Sequence, residues 1–239
     1  MIVDFAYQPL IEDFYKDGKL KLESVLKILE NSGNKHSDKS GDNILAGSNK
    51  GVTWVLTDWY VEIGNYPKYG DKLLAKTWSQ KPNSLFTCPR DFEFYANDKL
   101  CIKGTTQWVL FDLNRGRPAK IEADLIGEYQ PEDKAVFAEN KLGKMKAPEA
   151  FDSEVQIKPR RNDIDFNDHV HNLVYVDYAM EALPEDVYKA HDFHSIRITY
   201  KTAIKAGALI TAKYAKVDGT HLVCLYDDGG NLNTIIEIR

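Results

Sequence analysis

The chain has 239 residues, of which 43% are hydrophobic and 28% are charged, and its formal net charge at pH 7 is −5. This composition is typical of a folded globular protein, and the negative charge argues against a general nucleic-acid binder. No apolar run approaches the ~20 residues that span a bilayer, and the first residues lack the pattern of a signal peptide. Three scattered cysteines, Cys88, Cys101 and Cys224, indicate neither a disulfide framework nor a zinc site, so we expect a cytoplasmic protein.

The first half of the chain predicts one helix followed by a run of strands. Residues 20–30 have the periodicity of an amphipathic helix, and Ser32-Gly33-Asn34 predicts its end. Residues 34–51 are polar and have the composition of a loop. Alternating apolar residues, divided by turn-forming segments, then predict strands over 52–63, 72–79, 85–95 and 100–112.

The second half predicts the same order of elements. Residues 128–152 are charged and contain proline, which predicts a linker. A strand is predicted at 154–158, a helix at about 170–182, and strands at 195–202, 208–217, 221–227 and 232–238. Helix and antiparallel run therefore occur twice, with no repeat at the level of residues. We predict an α+β fold of two tandem hotdog domains, 1–127 and 153–239, each a long helix wrapped by a curved antiparallel sheet. A single α+β sheet domain stays open as the alternative.

A polar cluster precedes the second predicted helix. Asp165, Asn167 and His169 are spaced i, i+2 and i+4. On an extended approach to a helix, all three side chains would face one cavity, where the free N–H groups of the helix start could stabilise a carbonyl oxygen that gains negative charge. The competing interpretation is a helix cap, because Asp and Asn are favoured there. The spacing leaves both interpretations open.

Other motifs in this region do not complete a known site. Asp163-x-Asp165-x-Asn167 resembles the start of a calcium loop, but the sixth position is Asp168 rather than glycine and the twelfth is Val174 rather than glutamate. His169 and His171 lack further ligands with metal spacing. No Gly-x-Ser-x-Gly segment is present, which argues against an α/β serine hydrolase. We therefore predict no metal site.

The residues from Arg160 to Pro184 resemble the plant and bacterial acyl-acyl carrier protein thioesterases. The family motif runs Asp-x-Asn-x-His-Val-Asn-Asn, then a tyrosine, a helical glutamate and a proline. The matching residues here are Asp165-Phe166-Asn167-Asp168-His169-Val170-His171-Asn172, Tyr175, Glu181 and Pro184. The first half also resembles the family's first hotdog domain in the segments Trp54-Val55-Leu56, Tyr66-Pro67-Lys68-Tyr69-Gly70-Asp71, Thr77-Trp78, Arg90-Asp91-Phe92, Trp108-Val109 and Arg117-Pro118.

The resemblance implies hydrolysis of the thioester between a fatty acyl chain and acyl carrier protein by direct attack of water, without a metal or organic cofactor. The acyl chain would lie in the N-terminal domain and the chemistry in the C-terminal one. Asp165 would orient and charge the site, Asn167 would hold the carbonyl or the water, and His169 would join the same network. A basic group before the motif, Lys158, Arg160 and Arg161, would dock the acidic carrier protein, or else is a solvated strand end. The resemblance allows a monomer or a homodimer.

One position departs from the family pattern. The family places a glutamate that activates water after a Tyr-Arg-Arg strand, and this chain has Ala203 there. A positioned base contributes about 10²–10⁴-fold in rate. Either Asp165 with His169 activates the water, or another acid reaches the site, or the activity is weak, and in the last case the chain is an acyl-binding protein. Two further alternatives do not depend on Ala203: an acyl-coenzyme A thioesterase of the hotdog type, and a hotdog dehydratase, which would need a pair of histidine and helical acid that the sequence does not identify. Chain-length preference depends on pocket walls that the sequence does not identify.

Overall fold

The structure is a computed structural model that describes residues 1–42, 51–138 and 142–239. The chain divides into two compact units, Met1–Leu142 (unit 1) and Gly143–Arg239 (unit 2). Within the described residues, none of the helices has the length and apolar character to cross a membrane.

Unit 1 is built on an antiparallel sheet. Its strands are β1 Val3–Tyr7, β2 Val52–Ile63, β3 Leu73–Ser79, β4 Thr87–Ala96, β5 Lys99–Asp112 and β6 Arg117–Pro118. The strand order is β1-β3-β4-β5-β2, with β6 paired to β5. The four strands predicted in this half are confirmed to within two residues at each end, whereas β1 was not predicted.

Helix α1, Leu22–Lys39, packs on this sheet, chiefly against β3. Its end was predicted wrongly at residues 32–34, because the helix continues through Lys39. Gly33 does not cap the helix. It lies where an added Cβ would come within 3.4 Å of the Arg90 side chain, so the glycine permits close packing. The predicted loop 34–51 is therefore helical at its start, and residues 43–50 lie outside the described part of the chain.

The segment after β6 belongs to unit 1 as far as Leu142 and packs on its sheet. It contains a short helix, α2, at Ala123–Gly127. Beyond α2, the indole N–H of Trp78 donates to the carbonyl of Lys134 at 2.8 Å. The N–H of Val136 donates to the Asp91 carboxylate at 2.9 Å. Part of the predicted linker 128–152 is therefore bound to the first unit.

Unit 2 contains a second helix and a second antiparallel sheet. Its strands are β7 Ser153–Ile157, β8 Ser195–Tyr200, β9 Ile210–Val217, β10 Thr220–Tyr226 and β11 Leu232–Ile238, and its helices are α3 Val174–Ala182 and α4 Glu185–Ala190. The strand order is β8-β11-β10-β9-β7, and α3 packs on β7, β9, β10 and β11. The predicted strands of this half are confirmed.

Helix α3 begins later than predicted. The expected start was about residue 170, but the helix starts at Val174. The N–H of Val170 donates to Ile204 and the N–H of His171 donates to Asp163, so these residues are tied to neighbouring chain segments. A single turn, closed by the N–H of Val174 on the carbonyl of His171 at 2.9 Å, then leads into the helix.

Candidate active site

The polar cluster of unit 2 lies on a tight turn rather than on an extended segment. The N–H of Asp165 donates to the carbonyl of His169 at 2.8 Å, and the N–H of Asp168 donates to the carbonyl of Asp165 at 3.2 Å. Asp168 takes a left-handed conformation, with φ of 59°, which Asp tolerates better than most residues. The predicted extended approach is therefore wrong: the motif folds back on itself and places Asp165 opposite His169.

The Asp165 carboxylate holds this turn. Its Oδ1 accepts the N–H of Asn167 at 2.8 Å and the N–H of His169 at 3.2 Å. Asp165 thus caps backbone donors, as the competing interpretation proposed, but it caps its own turn and not a helix. Its Oδ2 makes no hydrogen bond with the described residues of unit 2. One oxygen therefore fixes the turn, and the other is available to a ligand.

A third stretch of chain pairs with the turn. This stretch is the strap, residues 201–208, which follows β8. The N–H of Val170 donates to the carbonyl of Ile204 at 2.9 Å, and the N–H of Ala206 donates to the carbonyl of Asp168 at 3.1 Å. These two bonds flank an antiparallel bridge between His169 and Lys205. The turn and the strap therefore form a three-stranded ribbon.

Side chains alternate between the two faces of this ribbon. One face carries an apolar row, which is buried or half-buried and consists of Ile164, Val170 and Ile204. The opposite face carries the polar row, which consists of Asp165, His169 and Lys205. The apolar row fixes the orientation of the ribbon, because turning it over would expose that row to water. An acid, an imidazole and an amine are thereby presented side by side.

Tyr175, on helix α3, anchors the strap. Its buried hydroxyl accepts the N–H of Ile204 at 2.8 Å. Burial raises the pKa of Tyr175 to about 12, and the negative charge of Asp165 acts in the same direction. The hydroxyl therefore stays protonated at neutral pH and lies within the electrostatic reach of the site carboxylate.

A second aspartate, Asp163, fixes the backbone just before the turn. Asp163 is buried and accepts the backbone N–H of Arg160 at 2.7 Å and the hydroxyl of Tyr178 at 2.7 Å. The Arg160 guanidinium lies 2.8 Å from the same carboxylate. Burial alone would raise the pKa of Asp163, but the hydrogen bonds from Arg160 and Tyr178 lower it below its ordinary value. Asp163 is therefore charged and structural.

The other predicted site residues fall into distinct environments. Asn167 is exposed at the tip of the turn, and His169 is half-buried. Lys158 and Arg161 are exposed, whereas the charge of Arg160 is held by Asp163. Ala203 is exposed on the strap. The sequence analysis did not identify Lys205, although this lysine lies two positions beyond Ala203, where the chain departs from the family pattern.

Unit 1 contains a copy of the same turn, displaced by 150 residues. The N–H of Tyr15 donates to the carbonyl of Lys19 at 2.8 Å, as Asp165 does to His169. Lys19 bridges to Lys68, and Gly18 has the positive φ that Asp168 has in unit 2. The corresponding row of the copy consists of Tyr15, which is buried, Lys19 and Lys68. The repeat therefore lies in backbone hydrogen bonds and conformation rather than in residue identity, since the acid and the imidazole are present only in the copy of unit 2.

No metal-binding cluster is present in the part of the chain that the structure describes. No group of three or more His, Cys, Asp or Glu side chains there is arranged to hold a metal ion.

Comparison with family models matches nearly the whole chain. Residues 4–129 match the N-terminal domain of acyl-ACP thioesterase, and residues 146–236 match its C-terminal domain. Oleoyl-acyl carrier protein thioesterase 1, chloroplastic, from Arabidopsis thaliana is 24% identical over 221 residues, which are 84% of this chain and 60% of that protein. Dodecanoyl-[acyl-carrier-protein] hydrolase, chloroplastic, from Cinnamomum camphora is 24% identical over 204 residues, which are 77% of this chain and 52% of that protein.

Solved structures share the fold. The 12:0-ACP thioesterase from Umbellularia californica superposes with a TM-score of 0.90 at 19% identity, covering 100% of this chain and 96% of that one. An acyl-ACP thioesterase from Bacteroides thetaiotaomicron gives a TM-score of 0.85 at 18% identity, covering 99% and 96%. The predicted α+β fold of two tandem hotdog domains is confirmed. The chain spans between half and two thirds of the length of the curated relatives named above. Since the two family models together match residues 4–129 and 146–236, the chain belongs to the acyl-acyl carrier protein thioesterase family.

Proposed function

We propose that this protein hydrolyses the thioester that joins a fatty acyl chain to acyl carrier protein, releasing the free fatty acid and the holo carrier protein. The observation that carries the proposal is the polar row, which presents Asp165 beside His169 in the part of the chain that matches the family's C-terminal domain. Membership of the family supports the same reaction class.

The reaction proceeds by direct attack of water. Asp165 Oδ2 accepts a proton from the water as the water oxygen bonds to the thioester carbonyl carbon, and the carbonyl π electrons move onto oxygen. When the carbonyl re-forms, the C–S bond breaks and the thiolate leaves, taking the proton from Asp165. Asn167 holds the carbonyl or the water, and His169 hydrogen-bonds in the same network. No cofactor takes part in these steps.

The two units have different proposed roles. We assign residues 1–127 to acyl-chain binding, residues 128–152 to a linker, and residues 153–239 to chemistry. The duplicated turn supports this division, because its copy in unit 1 has Tyr15 and Lys19 where unit 2 has Asp165 and His169. A tyrosine and a lysine in those positions supply no carboxylate base at neutral pH.

The carrier protein is the proposed partner. Lys158 and Arg161 are exposed next to the turn and are proposed to dock its acidic surface. Arg160 contributes less to docking, because Asp163 already pairs with its guanidinium. We also propose a reducing, cytoplasmic location, since Cys88, Cys101 and Cys224 are buried as free thiols, and a monomer or homodimer. Cell fractionation and sedimentation velocity test these two points.

The experiment is a donor panel with a matched variant. Acyl-carrier protein and acyl-coenzyme A of several chain lengths are offered to the wild type and to Asp165→Asn, and free thiol release is measured. Asn keeps an oxygen that accepts both turn N–H groups but removes the charge, so we expect the variant to fold and to lose about 10²–10⁴-fold in kcat. The KM for the carrier-protein donor should rise with salt.

Other outcomes separate the competing functions. Turnover of coenzyme A esters alone would replace the carrier protein by coenzyme A as the donor. Tight acyl binding without thiol release would make the chain an acyl-binding protein, which is the reading that Ala203 favours. Equal turnover by the wild type and Asp165→Asn would remove Asp165 from the chemistry.

A further inference from the structure

We propose that Lys205 is a further catalytic residue of this site, whose ammonium group contacts the thioester carbonyl oxygen and stabilises the negative charge that forms there when water attacks. The inference rests on the proposed hydrolase function and deepens it. It assigns the stabilisation of the oxyanion to a residue of the strap, two positions beyond the alanine that stands where the family has its glutamate.

The first support is the pairing of Lys205 with His169. The two hydrogen bonds of the bridge are made by the residues on either side, Val170 to Ile204 and Ala206 to Asp168. This pattern defines a non-hydrogen-bonded antiparallel pair, in which the Cα atoms lie about 4.5 Å apart and the side chains are at their closest. The Lys205 and His169 side chains therefore leave the ribbon next to each other and on the same face.

The second support is the rigidity of the strap on both sides of Lys205. On one side, the N–H of Ile204 is held by the Tyr175 hydroxyl at 2.8 Å, and the Ile204 carbonyl accepts from Val170 at 2.9 Å. On the other side, Ala206 is held by Asp168 at 3.1 Å. The backbone of Lys205 is thus fixed against the turn that carries Asp165, which gives the side chain a defined origin beside the reacting group.

The third support is charge. The strap reads Lys201-Thr202-Ala203-Ile204-Lys205-Ala206-Gly207-Ala208 and contains no acid. Lys205 is exposed, and no carboxylate among the described residues of unit 2 lies within ion-pair distance of its ammonium. Its positive charge is therefore not neutralised by a neighbour and is available to a ligand that carries negative charge.

General chemistry indicates which negatively charged group of the substrate Lys205 contacts, the oxyanion or the phosphate of the pantetheine arm. A protonated amine cannot accept a proton from water, so Lys205 does not replace the missing glutamate as a base. A positive group placed where charge develops in the transition state lowers the barrier by stabilising the oxyanion. The phosphate of the pantetheine arm lies at the far end of that arm, beyond the reach of a side chain that sits beside the carbonyl. In this scheme Asp165 is the base, and Lys205 stabilises the oxyanion.

The duplicated turn provides a matched control. Lys68 stands in unit 1 where Lys205 stands in unit 2, and it bridges to Lys19 in the same way. In unit 1 the row of Tyr15, Lys19 and Lys68 has no carboxylate that could activate water. No oxyanion is therefore expected to form beside Lys68. A substitution at Lys68 removes the same charge from the same local backbone structure, in the copy of the turn that lacks Asp165 and His169.

The test compares Lys205→Met, Lys205→Arg and Lys68→Met with the wild type, using an acyl-carrier protein donor. We expect Lys205→Met to lower kcat about 10²-fold with KM within about two-fold, because the lost interaction forms only in the transition state. Lys205→Arg should recover most of kcat, and Lys68→Met should match the wild type. The thermal midpoint should stay unchanged in all three, since both lysines are exposed.

Failure of this inference differs from failure of the proposed function. A wild type that releases no thiol from any donor overturns the hydrolase proposal, and Lys205 falls with it. An active wild type whose kcat survives Lys205→Met, or whose loss lies only in KM, overturns the role of Lys205 and leaves the hydrolase proposal standing. A loss in Lys205→Met that Lys205→Arg does not recover would show that shape rather than charge is required, which also contradicts the inference.

Discussion

Asp165 has one observed role and one proposed role, divided between its two carboxylate oxygens. Oδ1 accepts two backbone N–H groups of its own turn, and Oδ2 is the oxygen proposed to receive the proton of the attacking water. The residue type and spacing identified Asp165 and His169 as candidates, but could not show that the chain folds back between them. That fold depends on the left-handed conformation of Asp168 and on the strap, which lies far along the sequence.

Ala203 offers a gain-of-function test at the residue scale. Its side chain is exposed on the strap, so a longer polar side chain meets water rather than a packed core. We expect Ala203→Glu to preserve folding and to hold or raise kcat by up to about 10-fold, because it returns an acid to the position where the family pattern has its glutamate. Ala203→Gln is the matched control without charge and should give no gain. A large loss of kcat in a folded Ala203→Glu protein would show that the site is adapted to alanine.

At the scale of elements, the repeated turn is held in both units by an aspartate with the same backbone contact. Asp13 accepts the N–H of Leu10 at 2.7 Å, and Asp163 accepts the N–H of Arg160 at 2.7 Å. Asp13 also binds the Ser24 hydroxyl, at 2.9 Å, whereas Asp163 binds Tyr178 and is more deeply buried. The two clamps are therefore equivalent in position but unequal in burial.

This difference predicts different costs for the same substitution. Asp163→Ala leaves buried donors without an acceptor, and we expect it to lower the free energy of unfolding by about 3 kcal/mol and to lower kcat. Asp13→Ala should cost about 1 kcal/mol and leave kcat within about two-fold of the wild type. Urea unfolding and thiol release measure both. Unchanged stability and turnover in Asp163→Ala would show that the clamp is not needed.

The elements that sequence predicted well are those whose side chains alternate or recur by local rules. Strands β2 to β5 and β7 to β11 follow from such alternation. The end of α1 was misplaced because the sequence pattern predicts a helix stop at Gly33, whereas in the structure Gly33 lies within the helix and faces the Arg90 side chain of a distant strand. The duplicated turn was missed for a different reason: its two copies share backbone hydrogen bonds and an aspartate that accepts the same backbone N–H, but Tyr15 and Lys19 in one copy stand where Asp165 and His169 stand in the other.

At the scale of the whole molecule, a buried polar cluster makes folding depend on pH. His36 is fully buried, and its Nδ1 lies 2.7 Å from Nη1 of Arg90. Burial lowers the pKa of His36 to about 3, and the positive charge of Arg90 acts in the same direction. Arg90 itself is buried, and burial lowers its pKa below the ordinary value. The folded protein therefore keeps His36 neutral at pH values where the unfolded chain binds a proton.

The sign of this linkage follows from the lowered pKa. The contribution of neutral His36 to the free energy of unfolding is fully present above pH 6.5, about the pKa of histidine in the unfolded chain. This contribution is lost as the pH falls from there toward 3. We expect His36 to account for about 2 kcal/mol of destabilisation between pH 7 and pH 5. His36→Asn keeps an acceptor for Arg90 and should remove that part of the pH dependence, as urea unfolding at both pH values would show. Equal slopes in the wild type and the variant would place the proton linkage elsewhere.

The most direct test of the central claim is the initial rate of thiol release from an acyl-carrier protein donor by the wild type and Asp165→Asn at equal concentration. The claim predicts turnover by the wild type and a loss of about 10²–10⁴-fold in a variant that unfolds at the same temperature. Equal rates for the two folded proteins would contradict the assignment of Asp165 as the group that activates water.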